Sequence, residues 1–404
     1  MNYKSNEWRL ILVCTLMILV SVGVGTATFS IYLPYFIKVH GFTNTQTSFL
    51  VSLRTMSSFF CMLLVTWYFN RLSLRTGMTV AMVGCAAAFV LLGCTGNYYL
   101  NCAAVALLGG AYTFASMYPL TILMNQWFGD KSGIPLSISS CGSGFAAIFC
   151  PTVITYIMDT YGLSAGFFTD AILSLLVAVL IYVYVRDYPE DNEYSYIHGR
   201  KNAVAHRFRE ISPLHFKALM LAVIFNGSLT LAGWGHFAIL FKTHNYTSMQ
   251  VAFALSMGGL TLTTSKFFYG FITERIKTFK SNFLFCTLIN IGFLLCLLLP
   301  LGYGWVPGTI AVFTGLGCPI STLGIAMWTK EVSSPKHFPQ NLKTLQTCHQ
   351  LGGLIFANAP GMLADLTGSY LPSYMLFSCL GLISFVIIQS IYAKNKLYEI
   401  YNEE

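Results

Sequence analysis

Long apolar runs, separated by short polar breaks, alternate along the chain from residue 10 onwards. A run of about 20 apolar residues has the length of a helix that crosses a bilayer. The pattern predicts twelve such spans, at approximately 10–37, 46–69, 77–95, 99–127, 133–157, 163–185, 217–241, 249–272, 281–300, 305–328, 342–365 and 370–393. We interpret each span as an α-helix, because a helix satisfies its own backbone hydrogen bonds inside lipid.

Composition supports a membrane-embedded chain. Of 404 residues, 55% are hydrophobic and only 9% are charged, whereas soluble globular proteins carry about 25% charged residues. So few charges cannot cover a water-facing surface, which excludes a soluble enzyme, a disordered chain and a nucleic-acid binder despite the net charge of +8. The twelve cysteines lie mostly inside apolar runs without CxxC spacing, so we expect neither a disulfide framework nor a metal site.

The distribution of basic residues predicts the orientation. Cytoplasmic loops carry an excess of Lys and Arg, and most of the 23 basic residues lie on one side when the N-terminus is placed inside. Both termini are therefore expected in the cytoplasm, in a multi-pass protein of the plasma (inner) membrane. The polar segment between spans 6 and 7 predicts three regions: an N-terminal six-helix bundle at 1–185, a cytoplasmic linker at 186–216 and a C-terminal six-helix bundle at 217–404.

The two halves repeat each other. An offset of 204 residues separates Lys38 from Lys242, His40 from His244, Gln46 from Gln250 and Arg71 from Arg275. Parallel six-span repeats are typical of transporters whose two halves rock against each other around a substrate-binding site near the bilayer midplane. The sequence thus predicts an all-α integral membrane fold, with twelve transmembrane helices in two pseudo-symmetric six-helix bundles.

Two loop motifs make the chain similar to a known family. The segments 70–77, Asn-Arg-Leu-Ser-Leu-Arg-Thr-Gly, and 266–275, Lys-Phe-Phe-Tyr-Gly-Phe-Ile-Thr-Glu-Arg, resemble the loop motif of the major facilitator superfamily. The segment 127–144 resembles the branch that holds monocarboxylate transporters and oxalate/formate antiporters. The resemblance implies the major facilitator fold, with gating contacts at Arg71, Arg75, Glu274 and Arg275. Asn70 replaces the usual acidic residue of the motif in the first half.

Lys266 is the leading candidate for substrate binding. It lies eight residues from Glu274, or roughly 12 Å along a helix, and charge at this depth usually faces a pathway or a partner. Snorkelling of the lysine to the interface remains an open alternative. In relatives this position carries an Arg that binds the substrate carboxylate, so the resemblance implies that Lys266 anchors an anion.

Arg54 and His349 are further candidates inside predicted spans. Arg54, eight residues from Gln46, either lines the pathway or pairs with Asp365 in an outer gate, because spans 2 and 11 adjoin in this fold. No acidic residue is expected in the middle of a span, and Asp170 is placed near an outer end.

His349 aligns with a second cation of the oxalate/formate antiporters, although a mid-span His is often a packing residue. One Lys with a titratable His suits a single carboxylate better than a dicarboxylate.

Spans 1, 4, 7 and 10 line the cavity in this fold. Their polar and aromatic side chains add five candidates for substrate binding: Tyr32, Tyr118, Asn125, Trp234 and His236. Relatives coupled to protons place an Asp one turn before the span-8 cation, where this chain has Leu262. Proton coupling would therefore need another group, with His349 and His236 as the candidates.

Together these patterns predict a secondary active transporter of a small organic anion, a monocarboxylate, by alternating access. Antiport against a counter-anion and symport with a proton both remain open. The alternatives are a carrier of the same fold for a neutral or cationic compound and a non-transporting membrane sensor. Neither a GxxxxGK[ST] nor an HExxH motif occurs, so we expect no enzyme activity and no cofactor. The expected partners are the carboxylate and the lipid bilayer around a monomer, without nucleic acid.

Overall fold

The fold is built from α-helices whose ends are set by local sequence signals. A computed structural model describes residues 5–27, 29–188 and 206–400. Residues 189–205 of the predicted linker lie outside the described residues. The α-helices are α1 Ser5–Ile18, α2 Leu33–His40, α3 Asn44–Arg71, α4 Leu74–Cys94, α5 Tyr98–Phe114, α6 Met117–Phe128, α7 Gly133–Ser140, α8 Gly142–Tyr161, α9 Leu163–Tyr184, α10 Pro213–Gly227, α11 Phe237–Thr243, α12 Ser248–Leu295, α13 Val306–Gly317, α14 Leu323–Val332, α15 Phe338–Phe356, α16 Ala359–Thr367 and α17 Leu371–Lys394.

The helices account for the twelve predicted spans. Among the described residues, ten helical segments are long and apolar enough to cross a membrane. One of them, Met249–Leu301, holds two spans, because α12 leaves helical geometry at Lys277, where φ is 66°. The twelfth is the pair α15 and α16, which is interrupted at Ala357 and Asn358. The all-α fold with twelve transmembrane helices is confirmed.

The chain forms two compact units, each with its own aromatic core. Unit 1 contains the described residues within Met1–Phe128 and Ile138–Asn202, and unit 2 contains those within Gly129–Ser137 and Ala203–Glu404. The short segment Gly129–Ser137 thus packs with unit 2, although the predicted N-terminal bundle extends over it. The boundaries 1–185 and 217–404 remain predictions.

The repeated Thr-x-x-Gln motif begins a helix in each unit. Thr43 Oγ1 accepts a hydrogen bond from the Gln46 amide at 3.2 Å, and Gln46 Oε1 accepts from the Thr43 amide at 2.9 Å. Thr247 and Gln250 form the same box, with distances of 3.3 and 3.0 Å. A capping box satisfies two backbone donors at a helix start. Part of the sequence repeat is therefore a shared signal that starts α3 and α12.

The turn before each box needs a left-handed residue. Gly41 has φ of 69°, and Asn245, which lies 204 residues later, has φ of 62°. Glycine adopts this conformation without steric cost, and asparagine tolerates it better than most other residues. The two residues differ between the repeats but meet the same backbone requirement.

Candidate functional site

The first helix of each unit is broken in the same way. In unit 1, α1 continues as a π-helical segment, Leu19–Ala27, and a 3₁₀ turn, Phe29–Tyr32, precedes α2. In unit 2, α10 continues as the π-helical segment Ser228–Gly233 and the 3₁₀ turn Trp234–His236 before α11. Such π-helical segments are rare and frequently occur at functional sites. The repeat therefore extends to the irregular parts of the two helices.

Arg54 lies against the π-helical segment of unit 1. Its side chain is 9% exposed, and Nη1 donates to the Gly25 carbonyl oxygen at 2.9 Å. The guanidinium carbon lies 4.9 Å from the centre of the Phe29 ring, within the range of a cation–π contact. Tyr112 on α5 also interacts electrostatically with the guanidinium. Unit 1 therefore has a buried cation, Arg54, beside its broken first helix.

The other three candidates of unit 1 have different surroundings. Tyr32 is fully buried, stacks on Phe167 with ring centroids 4.2 Å apart, and donates its hydroxyl to Asp170. The buried Tyr118 ring lies 6.1 Å from Phe69. Asn125 is 4% exposed, and its Oδ1 has no hydrogen-bond partner among the described residues. Tyr32 and Tyr118 are therefore integrated into the packing, whereas Asn125 retains an acceptor atom for a ligand.

Lys266 is buried within the packing of unit 2. The residue is 8% exposed and lies on α12, where Ser265 beside it donates to the Leu316 carbonyl oxygen at 2.5 Å. Lys266 also interacts electrostatically with Cys318 in the turn that follows α13. The ammonium is thus placed where α12 packs against α13, which explains why it is shielded from water.

His349 contacts the π-helical segment of unit 2. Its Nε2 lies 3.0 Å from the Thr230 hydroxyl oxygen, within hydrogen-bond distance. Where α10 crosses α15, a Cβ added to Gly227 would collide with the His349 carbonyl oxygen. The position of His349 therefore depends on a close approach of two backbones that only glycine permits.

A substitution at this crossing is expected to disturb unit 2. A Cβ at Gly352 would collide with the Ile224 carbonyl oxygen, whereas a Cβ at Gly361 on α16 meets no atom within 4 Å. Overpacking costs about 1–3 kcal/mol, and a backbone atom yields less readily than a side chain. Gly352→Val should therefore lower the thermal unfolding midpoint in detergent, and Gly361→Val should leave it near the wild-type value. Equal midpoints for the two variants would show that the close crossing is not required.

Trp234 and His236 occupy the 3₁₀ turn of unit 2. Both side chains are half-buried, and His236 Nδ1 lies 2.9 Å from the Ala232 carbonyl oxygen. The Trp234 ring is near Gly258 on α12 and lies 5.8 Å from the Phe237 ring. These contacts bring the turn against α12, the helix that carries Lys266.

The predicted gating residues of unit 1 contact the ends of α3, α4 and α9. Arg71 is exposed and lies 4.9 Å from the Trp67 ring centre. Arg75 Nε donates to the Tyr182 carbonyl oxygen at 2.6 Å. Asp187 accepts the backbone amides of Leu74 and Arg75 at 3.0 and 2.9 Å. Sequence reasoning missed Asp187, whose carboxylate lies at the start of α4. The loop motif itself has Asn70, on α3, in place of its usual acidic residue.

In unit 2, Glu274 contacts the segment Gly129–Ser137. The Glu274 carboxylate accepts the backbone amide of Ile134 in the first turn of α7, and a Cβ at Gly270 would collide with Ile134 and its neighbours. Arg275 and Asp365 are exposed. The pairing of Arg54 with Asp365 stays a prediction.

The same segment is held by Lys330, a buried cation that sequence reasoning placed in a cytoplasmic loop. Lys330 is 3% exposed, and its Nζ donates to the Gly129 carbonyl oxygen at 2.6 Å and to Ser132 Oγ at 3.0 Å. Asp130 Oδ1 lies 4.0 Å from Nζ and accepts the Arg207 amide at 3.0 Å. We refer to Gly129, Asp130, Ser132 and Lys330 as the Lys330 cluster.

Two further polar side chains near the Lys330 cluster, Glu331 and His206, form hydrogen bonds of their own. Glu331 is 1% exposed and accepts hydrogen bonds from the hydroxyls of Thr278 and Tyr392. His206 Nε2 lies 2.8 Å from the Ser333 carbonyl oxygen. Burial lowers the pKa of His206 from its usual value, so this imidazole is neutral and Nε2–H acts as the donor at neutral pH.

Helices long and apolar enough to cross a membrane, with buried cations among them, are typical of a multi-pass helical membrane protein. The sequence model of the Major Facilitator Superfamily matches residues 13–357. The chain belongs to this family, and it is therefore a transporter. No curated protein sequence matches it at a significant level.

Solved structures of transporters share the fold. The E. coli fucose:proton symporter FucP is 14% identical, with a TM-score of 0.72 over 96% of this chain and 99% of that chain. The human organic anion transporter MFSD10 (TETRAN) is 14% identical, with a TM-score of 0.75 over 96% and 100% of the two chains. The proton:xylose symporter XylE is 15% identical, with a TM-score of 0.76 over 96% of each chain. At these identities the likeness shows the major facilitator fold, and the monocarboxylate/oxalate–formate branch stays a prediction.

Proposed function

We propose that the protein is a secondary active transporter of a small organic anion, a monocarboxylate, and that it works by alternating access. The observation that carries the proposal is the burial of Lys266, a residue that is 8% exposed, on α12. A cation at such depth is costly and usually serves a pathway or a ligand. Binding a carboxylate compensates this cost with a charge-assisted hydrogen bond.

The cation of unit 1 supports the same substrate class. Arg54 lies beside the π-helical segment with a backbone carbonyl and an aromatic ring as neighbours. A guanidinium is suited to bidentate recognition of a carboxylate. MFSD10, which shares the fold, is an organic anion transporter by its description. A site with few polar groups among apolar side chains is also typical of small-molecule recognition.

Orientation, assembly and gating belong to the same proposal. We place both termini on the cytoplasmic side of the plasma (inner) membrane, because basic residues are concentrated in the corresponding loops. The carrier works as a monomer, with the N-terminal bundle at 1–185 and the C-terminal bundle at 217–404. Arg71, Arg75, Glu274 and Arg275 act in gating.

A neutral sugar-like substrate is the second candidate. FucP and XylE, which share the fold, are sugar symporters by their descriptions. Asn125 retains a buried amide oxygen without a hydrogen-bond partner among the described residues, and an acceptor of this kind suits a hydroxyl group. Trp234 offers an apolar ring of the type that packs against sugars.

A thermal-shift screen separates the two substrate classes. Purified protein is heated with formate, acetate, L-lactate, pyruvate, oxalate or succinate, and in parallel with fucose, xylose or glucose. A ligand at 100 times its Kd stabilises the folded state by about 2.7 kcal/mol. We expect a rise of the unfolding midpoint with one or more monocarboxylates and none with the sugars. Stabilisation by a sugar alone would contradict the anion proposal.

A further inference from the structure

Asp170 is a fully buried carboxyl group whose surroundings differ from the sequence prediction. Its position seven residues into α9 corresponds to about 10 Å along the helix, and its exposure is 0%. The Tyr32 hydroxyl donates to Oδ2, while Oδ1 has no hydrogen-bond partner among the described residues. Sequence reasoning placed Asp170 near an outer end, because the apolar pattern does not reveal that other helices cover it.

Few groups face this carboxyl. Tyr32 approaches from the 3₁₀ turn, and the thiol of Cys150 on α8 interacts with Asp170 electrostatically. The helices α1 and α4 and the π-helical segment Leu19–Ala27 also pack against α9, but no titratable side chain on them interacts electrostatically with Asp170 in the described ranges. On α9 itself, Ser174 donates to the Asp170 backbone oxygen. Phe167 covers the face of the Tyr32 ring.

The energetics of this site depend on protonation. A buried carboxylate is costly unless it is paired or well hydrogen-bonded, and here a single phenol donates to it. The neutral acid removes the charge and avoids that cost. A carboxyl group inside a membrane helix is a functional hypothesis by default, and carboxyl groups form proton relays in many transporters.

The donor of Asp170 belongs to the broken helix. Tyr32 is the last residue of the 3₁₀ turn that joins the π-helical segment Leu19–Ala27 to α2. Arg54 holds the same π-helical segment through Gly25. A shift of this segment when a substrate engages Arg54 would move the Tyr32 hydroxyl relative to Asp170 and change the stability of the carboxylate.

We propose that Asp170 is the site that binds and releases the coupling proton of transport. This inference rests on the proposed function and replaces His349 and His236 as the group that titrates in the cycle. When Tyr32 donates to it, Asp170 is stabilised as the carboxylate. When the Tyr32 hydroxyl withdraws, the carboxylate accepts one proton from water and becomes the neutral acid. The reverse movement returns the proton, so charge and atoms balance in each half-cycle.

The chain offers a matched control. Tyr35, three residues after Tyr32, donates to Asp159 Oδ1 at 2.6 Å, and Asp159 is exposed. The two pairs share their chemistry and differ in burial. Asp159→Asn therefore removes a carboxyl group that also accepts from a tyrosine but faces water, in contrast to the buried Asp170.

Infrared spectroscopy of the purified full-length protein tests the protonation directly. The carbonyl stretching band of protonated carboxyl groups is followed from about pH 9 to about pH 5.5, a range in which exposed aspartates remain ionised. We expect a band that grows as the pH falls, disappears in Asp170→Asn and persists in Asp159→Asn. An Asp170→Asn spectrum identical to that of the wild type would overturn the proposal.

Tyr32→Phe provides a second variant in case Asp170→Asn does not fold. It keeps the carboxyl group and removes its donor, so the protonated band should persist to a higher pH than in the wild type. An unchanged titration would count against the role of Tyr32 and Asp170 as a pair that controls the proton.

Transport of L-lactate in proteoliposomes gives the functional readout. Asp170→Asn should lose the stimulation of uptake by an inward proton gradient while it retains lactate counterflow, and Asp159→Asn should keep both. Retained stimulation in Asp170→Asn would overturn the coupling role. If the wild type carries no lactate, the substrate proposal fails for that anion, while the infrared titration still decides whether Asp170 binds the proton.

Discussion

Lys266→Ala is expected to abolish saturable uptake of the transported anion while the protein still folds and inserts. Lys266 is 8% exposed on α12, and the proposed carboxylate forms a charge pair with its ammonium away from bulk water. Truncation of one partner in a buried charged pair costs about 2–5 kcal/mol. Because each 1.4 kcal/mol corresponds to a factor of ten, we expect binding weaker by about 30-fold or more. Initial rates of L-lactate uptake into proteoliposomes measure the effect.

Two variants control for charge and for general damage. Lys266→Arg keeps the positive charge and should retain part of the uptake, because a guanidinium also binds a carboxylate. Lys280→Ala removes an exposed lysine from the same helix and should leave uptake unchanged. If Lys266→Ala transports lactate at the wild-type rate and with the same KM, Lys266 does not anchor the anion.

Lys330→Met is expected to destabilise unit 2 and to loosen the segment Gly129–Ser137. The variant keeps the apolar stem but removes the donor to the Gly129 carbonyl and to Ser132 Oγ. A hydrogen bond that involves a charged group contributes about 1.5–3 kcal/mol after the cost of desolvation is subtracted. We therefore expect a loss of about 1.5–3 kcal/mol, measured by thermal unfolding in detergent. Faster amide hydrogen exchange in Gly129–Ser137 should accompany it.

The control for this prediction is Lys336→Met, which removes an exposed lysine four residues after Val332. It should leave both the unfolding midpoint and the exchange rates near those of the wild type. Wild-type exchange in the segment Gly129–Ser137 of Lys330→Met would mean that the Lys330 cluster does not hold the segment. Loss of stability without faster exchange would place the effect elsewhere in α14.

Local sequence patterns were sufficient for features that depend on neighbouring residues. The apolar runs predicted twelve spans because a bilayer demands a helix of fixed length. The constant offset of 204 residues predicted a duplication, and part of its physical basis is the capping box that starts α3 and α12. The depth of Lys266 followed from its distance to Glu274 along one helix.

Contacts between helices could not be derived in this way. Lys330 lies near the end of an apolar run, where the sequence pattern suggests a solvated loop, yet Gly129 and Ser132 cover its ammonium. Asp170 lies near the start of its span, yet it is fully buried and accepts a hydrogen bond from the Tyr32 hydroxyl. Whether a polar residue near a helix end faces water or another helix depends on residues far away in the chain.

The sequence by itself determined the membrane-embedded helical class, the number of spans, the internal duplication and the membership of a transporter family, because hydrophobic length and local capping signals are written within each segment. Only the tertiary structure decided which polar groups are enclosed. It placed Arg54 on the Gly25 carbonyl, His349 beside Thr230 and Tyr32 on Asp170. The physical reason is that burial and hydrogen-bond partners arise from packing between helices, and a linear pattern does not specify that packing.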